Sequence, residues 1–281
     1  KTDILDVMLG RQGNFVLING RSDARLAVKA GTRERWRFVN SANGRFFNLR
    51  LGERPFLVIG WDGGLLPQPY ETDRVVIAPG ERYEVLVSFG EGDIGAPLTL
   101  ETVHYDRGHN IPDPGPLPLM KIEVGPSEPA GRPPEFPVAW GDWSPLPVTP
   151  STPTRHFVLK EVEGERGAEP KFFINDEAFP AHTPIHGMED AVEVWEVDND
   201  TEMDHPFHLH GMFFQVLDVN GVPPRHRGLK DTVNVPQKSK LRFAVQYGPP
   251  GAWMYHCHIL EHAERGMMGE LMIGSRTSHG P

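Results

Sequence analysis

Residues 191–199 read AVEVWEVDN, and residues 33–40 read RERWRFVN. Both alternate apolar and charged side chains, the period of a strand with one buried face. Both end on asparagine, so Trp36 aligns with Trp195 and Asn40 with Asn199. The likeness extends outward: FVLINGR at 15–21 echoes FFINDEA at 172–178, and GERYEVLVSF at 80–89 echoes KSKLRFAVQY at 238–247. A period of about 160 residues is too long for a solenoid and suits a duplicated domain. Between the copies lies VGPSEPAGRPPEFPVAWGDWSPLPVTPSTP, 124–153, whose prolines withhold backbone donors from a central strand and suit an extended linker. The chain is therefore expected to divide into domain 1–125, linker 126–153 and domain 154–281. With 30 glycines, 28 prolines and little helical periodicity, it reads as all-β, two consecutive Greek-key β-sandwiches. Helix is expected only as a short turn around residues 259–263.

The net charge of −10 argues against nucleic acid or an anionic membrane surface as partner. No run of 18 apolar residues suggests a membrane span. The opening KTDILDVM leads straight into strand-like sequence, and the expectation is that something N-terminal has been removed.

One cysteine, Cys257, excludes an intrachain disulfide and lies in MYHCHILEHAERGMM, 254–268. Six of the 13 histidines fall in HPFHLHG, 205–211, and HCHILEH, 256–262. On a strand, His256 and His258 point to one face and Cys257 to the other, so one strand can serve two metal sites. On the cysteine side, His205 and His262 supply two imidazoles, and Met267 follows five residues after His262. Two histidines, a thiolate and a weak axial methionine are the ligand set of a blue-copper electron-transfer site. On the other face, His256 and His258 would meet His208 and His210. Four imidazoles there could hold more than one transition metal, half of a larger cluster, or a single closed zinc site.

HPFHLHG together with HCHILEHAERGM resembles the C-terminal signature of multicopper oxidases, the family of laccases, bilirubin oxidases and cuprous oxidases. LINGR, RWRFVN, GWDGGLL and APGERYEVLV resemble the middle domain of its bacterial three-domain members. The resemblance implies cupredoxin-like domains, the second holding copper. It makes His205, Cys257, His262 and Met267 the type 1 ligands, places His208 on type 2 copper, and gives His210, His256 and His258 to the type 3 pair. It implies oxidation of a small-molecule reductant (a phenol, an aromatic amine or a metal ion) near the type 1 histidines, coupled to reduction of dioxygen to water at a trinuclear cluster. It also implies export to the periplasm or beyond the cell.

The family's cluster takes a second quartet of histidines from an N-terminal domain. This chain lacks that quartet, so the resemblance requires a further domain or a separate polypeptide. Laying FNLR, 47–50, over FHLH, 207–210, puts Asn48 and Arg50 at ligand positions, with Glu101, Thr102 and Val103 over His256, Cys257 and His258. Ala263 stands where many relatives carry a proton-feeding glutamate; Glu261 and Glu264 are read as exposed and salt-bridged. Asp231 is expected to orient a histidine or loop. His182 and His186 are read as loop histidines, and His104, His109, His156, His226 and His279 as lacking partners in sequence. Two other readings stand beside the oxidase: a blue-copper electron carrier filling only the type 1 site, and a non-catalytic cupredoxin scaffold. A copper nitrite reductase fits the HCHILEH spacing less well.

Overall fold

The computed structural model describes residues 3–111, 113–127, 144–162, 164 and 169–275. Residues 128–143 of the expected linker, and His279, lie outside the described residues.

The first copy packs a five-stranded sheet on a four-stranded one. The five run Ala24–Lys29, Leu117–Gly125, Leu98–Val103, Phe47–Leu51 and Val75–Ile77; the four run Arg33–Val39, Arg82–Ser88, Phe56–Trp61 and Gly64–Thr72. The second copy repeats the plan. Its six-stranded sheet runs Lys171–Ile174, Thr154–Val162, Val192–Asn199, Ser239–Gln246, Phe214–Val219 and Leu229–Lys230. Its five-stranded sheet runs Ile185–Met188, Met268–Gly274, Gly251–Cys257, His205–Leu209 and Thr232–Val235. The fold is the all-β pair of sandwiches that the alternation predicts. His186 falls on the strand Ile185–Met188, not in the expected loop, because that segment pairs in parallel with Met268–Gly274 despite the prolines before it.

The repeat is visible in bonds. Ile18 and Arg21 exchange two backbone hydrogen bonds around Asn19 and Gly20, as Ile174 and Glu177 do around Asn175 and Asp176. All four central residues have positive φ, the signature of a tight two-residue hairpin turn. Trp36 pairs with Val85 as Trp195 pairs with Phe243. Asn40 Nδ2 donates to the carbonyls of Arg45 and Ile77; Asn199 Nδ2 donates to those of Met203 and Val235.

One expected superposition needs correction. Leu49 pairs with Thr102 and Val75 just as Phe207 pairs with Cys257 and Val233. Thr102 thus stands at the position of Cys257, as expected, but FNLR slips against FHLH. Arg50, not Asn48, stands where His208 does, opposite Glu101 at the place of His256. Arg50 Nη2 donates to Glu101 Oε1 at 2.6 Å, so an ion pair fills the place of two imidazoles. The two strands differ in spacing from their corners, Leu49 lying nine residues after Asn40 and Phe207 eight after Asn199, so the strand pairing fixes the register.

The second core holds Phe157, Phe172, Trp195, Phe207, Phe243 and Tyr255, all buried, with Cys257 and Met267 among them. Each such side chain contributes on the order of 1.5–3 kcal/mol by leaving water. Val7 and Met8, from the helix Ile4–Leu9 at the start of the chain, complete this core from outside the second copy.

Candidate metal centre

The strands His205–Leu209 and Gly251–Cys257 are antiparallel neighbours, with Phe207 opposite Cys257 and His208 opposite His256. Strand pleat then sorts the side chains. Phe207, Leu209, Tyr255 and Cys257 turn into the core; His208, His210, His256 and His258 turn outward and are only partly buried. After Cys257 the chain leaves the sheet and winds into the short helix Leu260–Glu264, which returns His262 to the cysteine side.

His205, Cys257 and His262 converge, each fully buried. Cys257 Sγ lies 3.6 Å from His205 Nδ1 and 3.7 Å from His262 Nδ1, and the two Nδ1 atoms are 3.2 Å apart. Both far ring nitrogens are engaged. His205 Nε2 donates to Thr201 Oγ1 at 2.9 Å, a hydroxyl whose proton goes to Asn199 Oδ1 or to the Met203 carbonyl. His262 Nε2 donates to the carbonyl of Met8 at 3.1 Å. These bonds fix the tautomers, leaving both Nδ1 lone pairs facing the sulfur. Phe172 stacks on the His262 ring at 4.0 Å. Met267 is buried alongside, its carbonyl accepting from Cys257 N and its N–H donating to His262 O, each at 3.0 Å.

The donor set fits a trigonal soft-metal site. With metal–nitrogen bonds of about 2.0 Å and a metal–sulfur bond of about 2.3 Å, a planar triangle of two nitrogens and one sulfur has edges of about 3.5–3.7 Å, against the 3.2–3.7 Å seen here. Burial pushes the His205 imidazole down to about 4 and His262 well below the usual range, so both rings are neutral, the form that ligates. Burial pushes the Cys257 thiol up, so a bound cation must displace its proton.

The second group lies on the opposite face of the strand. The ligand atoms of His208, His210 and His256 lie within 4.8 Å of one another, and His210 Nε2 is 3.0 Å from His256 Nε2. His208 Nδ1 is bonded to Asp231 O and Thr232 Oγ1, each at 2.9 Å, and His256 Nδ1 donates to Cys257 O at 2.7 Å. Both Nε2 atoms are thereby freed for a ligand. His258 is not in that triad; its buried Nδ1 has no hydrogen-bond partner among the described residues, and its ring centroid is 5.6 Å from that of His208. Gly80 of the first copy presses on that ring, where a Cβ would meet His258 Cδ2 at 2.4 Å.

The structure thus brings together seven of the eight predicted ligand side chains in two groups of three plus Met267, with His258 beside them. Asp231 orients His208, as expected, through its carbonyl, while its carboxylate is clasped by Arg82 of the first copy. Sequence reasoning missed Thr201 and Met8. Nothing in sequence marks a main-chain carbonyl as a partner for a histidine more than 250 residues away; the Asn199 corner does locate Thr201 next to His205. Glu264 is exposed as expected, but Glu261 is buried, because the helix Leu260–Glu264 turns it toward Asn43 and Arg11. Among the histidines without sequence partners, His109 lies 3.0 Å from Glu161, and His226 stacks on Tyr70.

A β-sandwich with a buried cysteine between two imidazoles, backed by a second histidine group, fits a copper protein of the cupredoxin class. The chain belongs to the multicopper oxidase family, whose models match residues 4–95 and 148–276. It is similar to the multicopper oxidase of Staphylococcus aureus, 30% identical over 94% of this chain and 53% of that protein, and to the laccase of Bacillus subtilis, 29% identical over 93% and 54%. Among solved structures it resembles the Campylobacter jejuni multicopper oxidase described as a metallo-oxidase, with TM-score 0.83, 29% identity and coverage of 96% of this chain and 59% of that one. It also resembles the laccase-like oxidase of Ochrobactrum sp., with TM-score 0.83, 29% identity and coverage of 98% and 63%. The chain spans about half the length of the curated relatives it matches. No helix among the described residues is long and apolar enough to cross a membrane.

Proposed function

We propose that this chain is the middle and C-terminal part of a laccase-like multicopper oxidase, with the two units at 1–125 and 154–281. His205, Cys257 and His262, together with Met267, would hold type 1 copper. His208 belongs to type 2 copper, and His210, His256 and His258 to the type 3 pair. An N-terminal domain or separate chain supplies the remaining histidines. Copper would supply one-electron acceptance from a phenol, aromatic amine or metal ion at the first site and reduction of dioxygen to water at the second.

The observation that carries this reading is the pairing of two donor groups on opposite faces of one strand, joined by the Cys257 carbonyl to the His256 ring. The protein's own part is preparation. Thr201 and Met8 hold the two buried imidazoles with Nδ1 toward the thiol, Asp231 and Thr232 hold His208, and the aromatic core excludes water. The family's usual location supports a site of action in the periplasm or outside the cell. Copper per chain tests the proposal. About one copper with intense blue absorption is expected for this chain alone, and about four, with oxygen uptake, for the protein completed by its N-terminal domain. Colourless protein that binds only zinc would overturn it.

A further inference from the structure

The candidate type 1 centre is sealed by a strap of this chain's own first residues. The helix Ile4–Leu9 turns Val7 and Met8 inward and Ile4 and Leu5 outward, and the Met8 carbonyl takes the hydrogen bond of His262 Nε2. Gly10 then crosses Gly44 so closely that a Cβ on Gly44 would lie 2.7 Å from the Gly10 backbone. Arg45 Nη2 donates to the carbonyls of Gln12 and Gly13 at 3.3 and 3.1 Å, and Arg11 lies 3.8 Å from the buried Glu261. Residues 3–13 are thereby fastened at three places over a ring with no exposed surface.

From this we infer that Met8 and its strap set the class of reductant, a conclusion that rests on the copper reading of His205, Cys257 and His262. A phenol gives up one electron and one proton, the proton passing to water, and it is best held when its oxygen accepts a hydrogen bond from the ligand imidazole. That N–H is already donated to Met8, and the aromatic ring would have to occupy the space of Met8 itself. Bulky phenols and aromatic amines are therefore excluded from contact with His262. The donors that remain are small one-electron reductants, metal ions and their complexes, which lose an electron and no proton and need only approach the outer face of the strap. The strap is the specificity determinant.

The test opens the strap without touching a ligand. Arg45→Ala removes the two carbonyl anchors, and Gly44→Val forces Gly10 away; Arg45→Ala is the gentler change should the second fail to fold. The first readout is metal-free: diethyl pyrocarbonate modification of the chain, mapped by mass spectrometry. His262 is expected to be unreactive in the parent and reactive in the variants. The second is the anaerobic bleaching of the blue band by 2,6-dimethoxyphenol and by ferrocyanide, which needs no oxygen turnover. Opening is expected to speed the phenol by about tenfold or more and ferrocyanide by no more than about twofold. Equal phenol rates in parent and variants, or an already reactive His262 in the parent, would overturn the inference. A copper-supplemented parent with no blue band would remove the copper reading and the inference with it, whereas a blue parent indifferent to the strap removes the inference alone.

Discussion

Arg82 Nη1 and Nη2 each donate at 2.6 Å to a different oxygen of Asp231, so a residue of the first copy grips the residue that orients His208. Burial alone would raise the Asp231 carboxyl, but His208 and Arg82 beside it more than offset this and hold it well below the usual carboxylate range. A carboxyl lowered in the folded state contributes stability that is present above its unfolded pKa of about 3.9 and is lost as pH falls through the folded value. Asp231→Asn should therefore destabilise at pH 7 and cost progressively less below about pH 4. Loss of one partner of a buried pair costs about 3–5 kcal/mol; with Arg82 32% exposed, solvent screening reduces this to about 2 kcal/mol. Urea melts at pH 7 and pH 3 measure both arms, and an equal loss at the two pH values would contradict the clasp.

The histidines carry the opposite acid signature. Burial, chiefly, lowers His205 and His256 to about 4 each. Between about pH 4 and 6.5 the unfolded chain binds protons that the folded chain refuses, so stability of the metal-free protein should rise with pH, by at most about 1.4 kcal/mol per pH unit for each ring. Stability against urea from pH 4.5 to 7 checks this. His205→Phe, which keeps the volume and removes the titrating group, should flatten part of the slope.

Thr201 gives the first site a handle that leaves its ligands in place. Thr201→Val removes the acceptor of His205 Nε2 and the hydroxyl donor shared between Asn199 and Met203. Stability should fall by about 1–3 kcal/mol, because buried polar groups lose their partners. The copper-loaded variant should keep its colour and shift its reduction potential, as spectroelectrochemistry would show. An unchanged potential would mean that the hydroxyl does not govern the imidazole.

The two donor groups should fail separately. Cys257→Ser should abolish the blue band, while His208→Ala should retain it and lose binding at the outward face. Copper titration followed by absorption and electron spin resonance distinguishes the two, and joint loss in both variants would mean that the groups form one site.

Strand alternation and the doubled asparagine corners made both sandwiches legible in sequence, since burial on one face dictates period two and the corner aligns the Trp36 strand with the Trp195 strand. Cys257 opposite its flanking histidines followed from the same pleat. Less legible were features built from the main chain and from distant segments. The Met8 carbonyl carries no side-chain signature, Arg82 meets Asp231 only after two copies pack, and Glu261 becomes buried because a helical turn rotates it inward. The slip of FNLR against FHLH has the same origin: letters matched where hydrogen-bond register did not.

Because one strand carries donors on both of its faces, its grammar forgives changes of letter and punishes changes of count. The first copy shows the forgiveness, with an arginine and a glutamate seated where two imidazoles sit in the second. Removing a single residue between 254 and 257 would turn the thiol outward and a histidine into the aromatic core, disabling both groups at once. Such a lineage can trade its donors in place over time, yet it cannot move them.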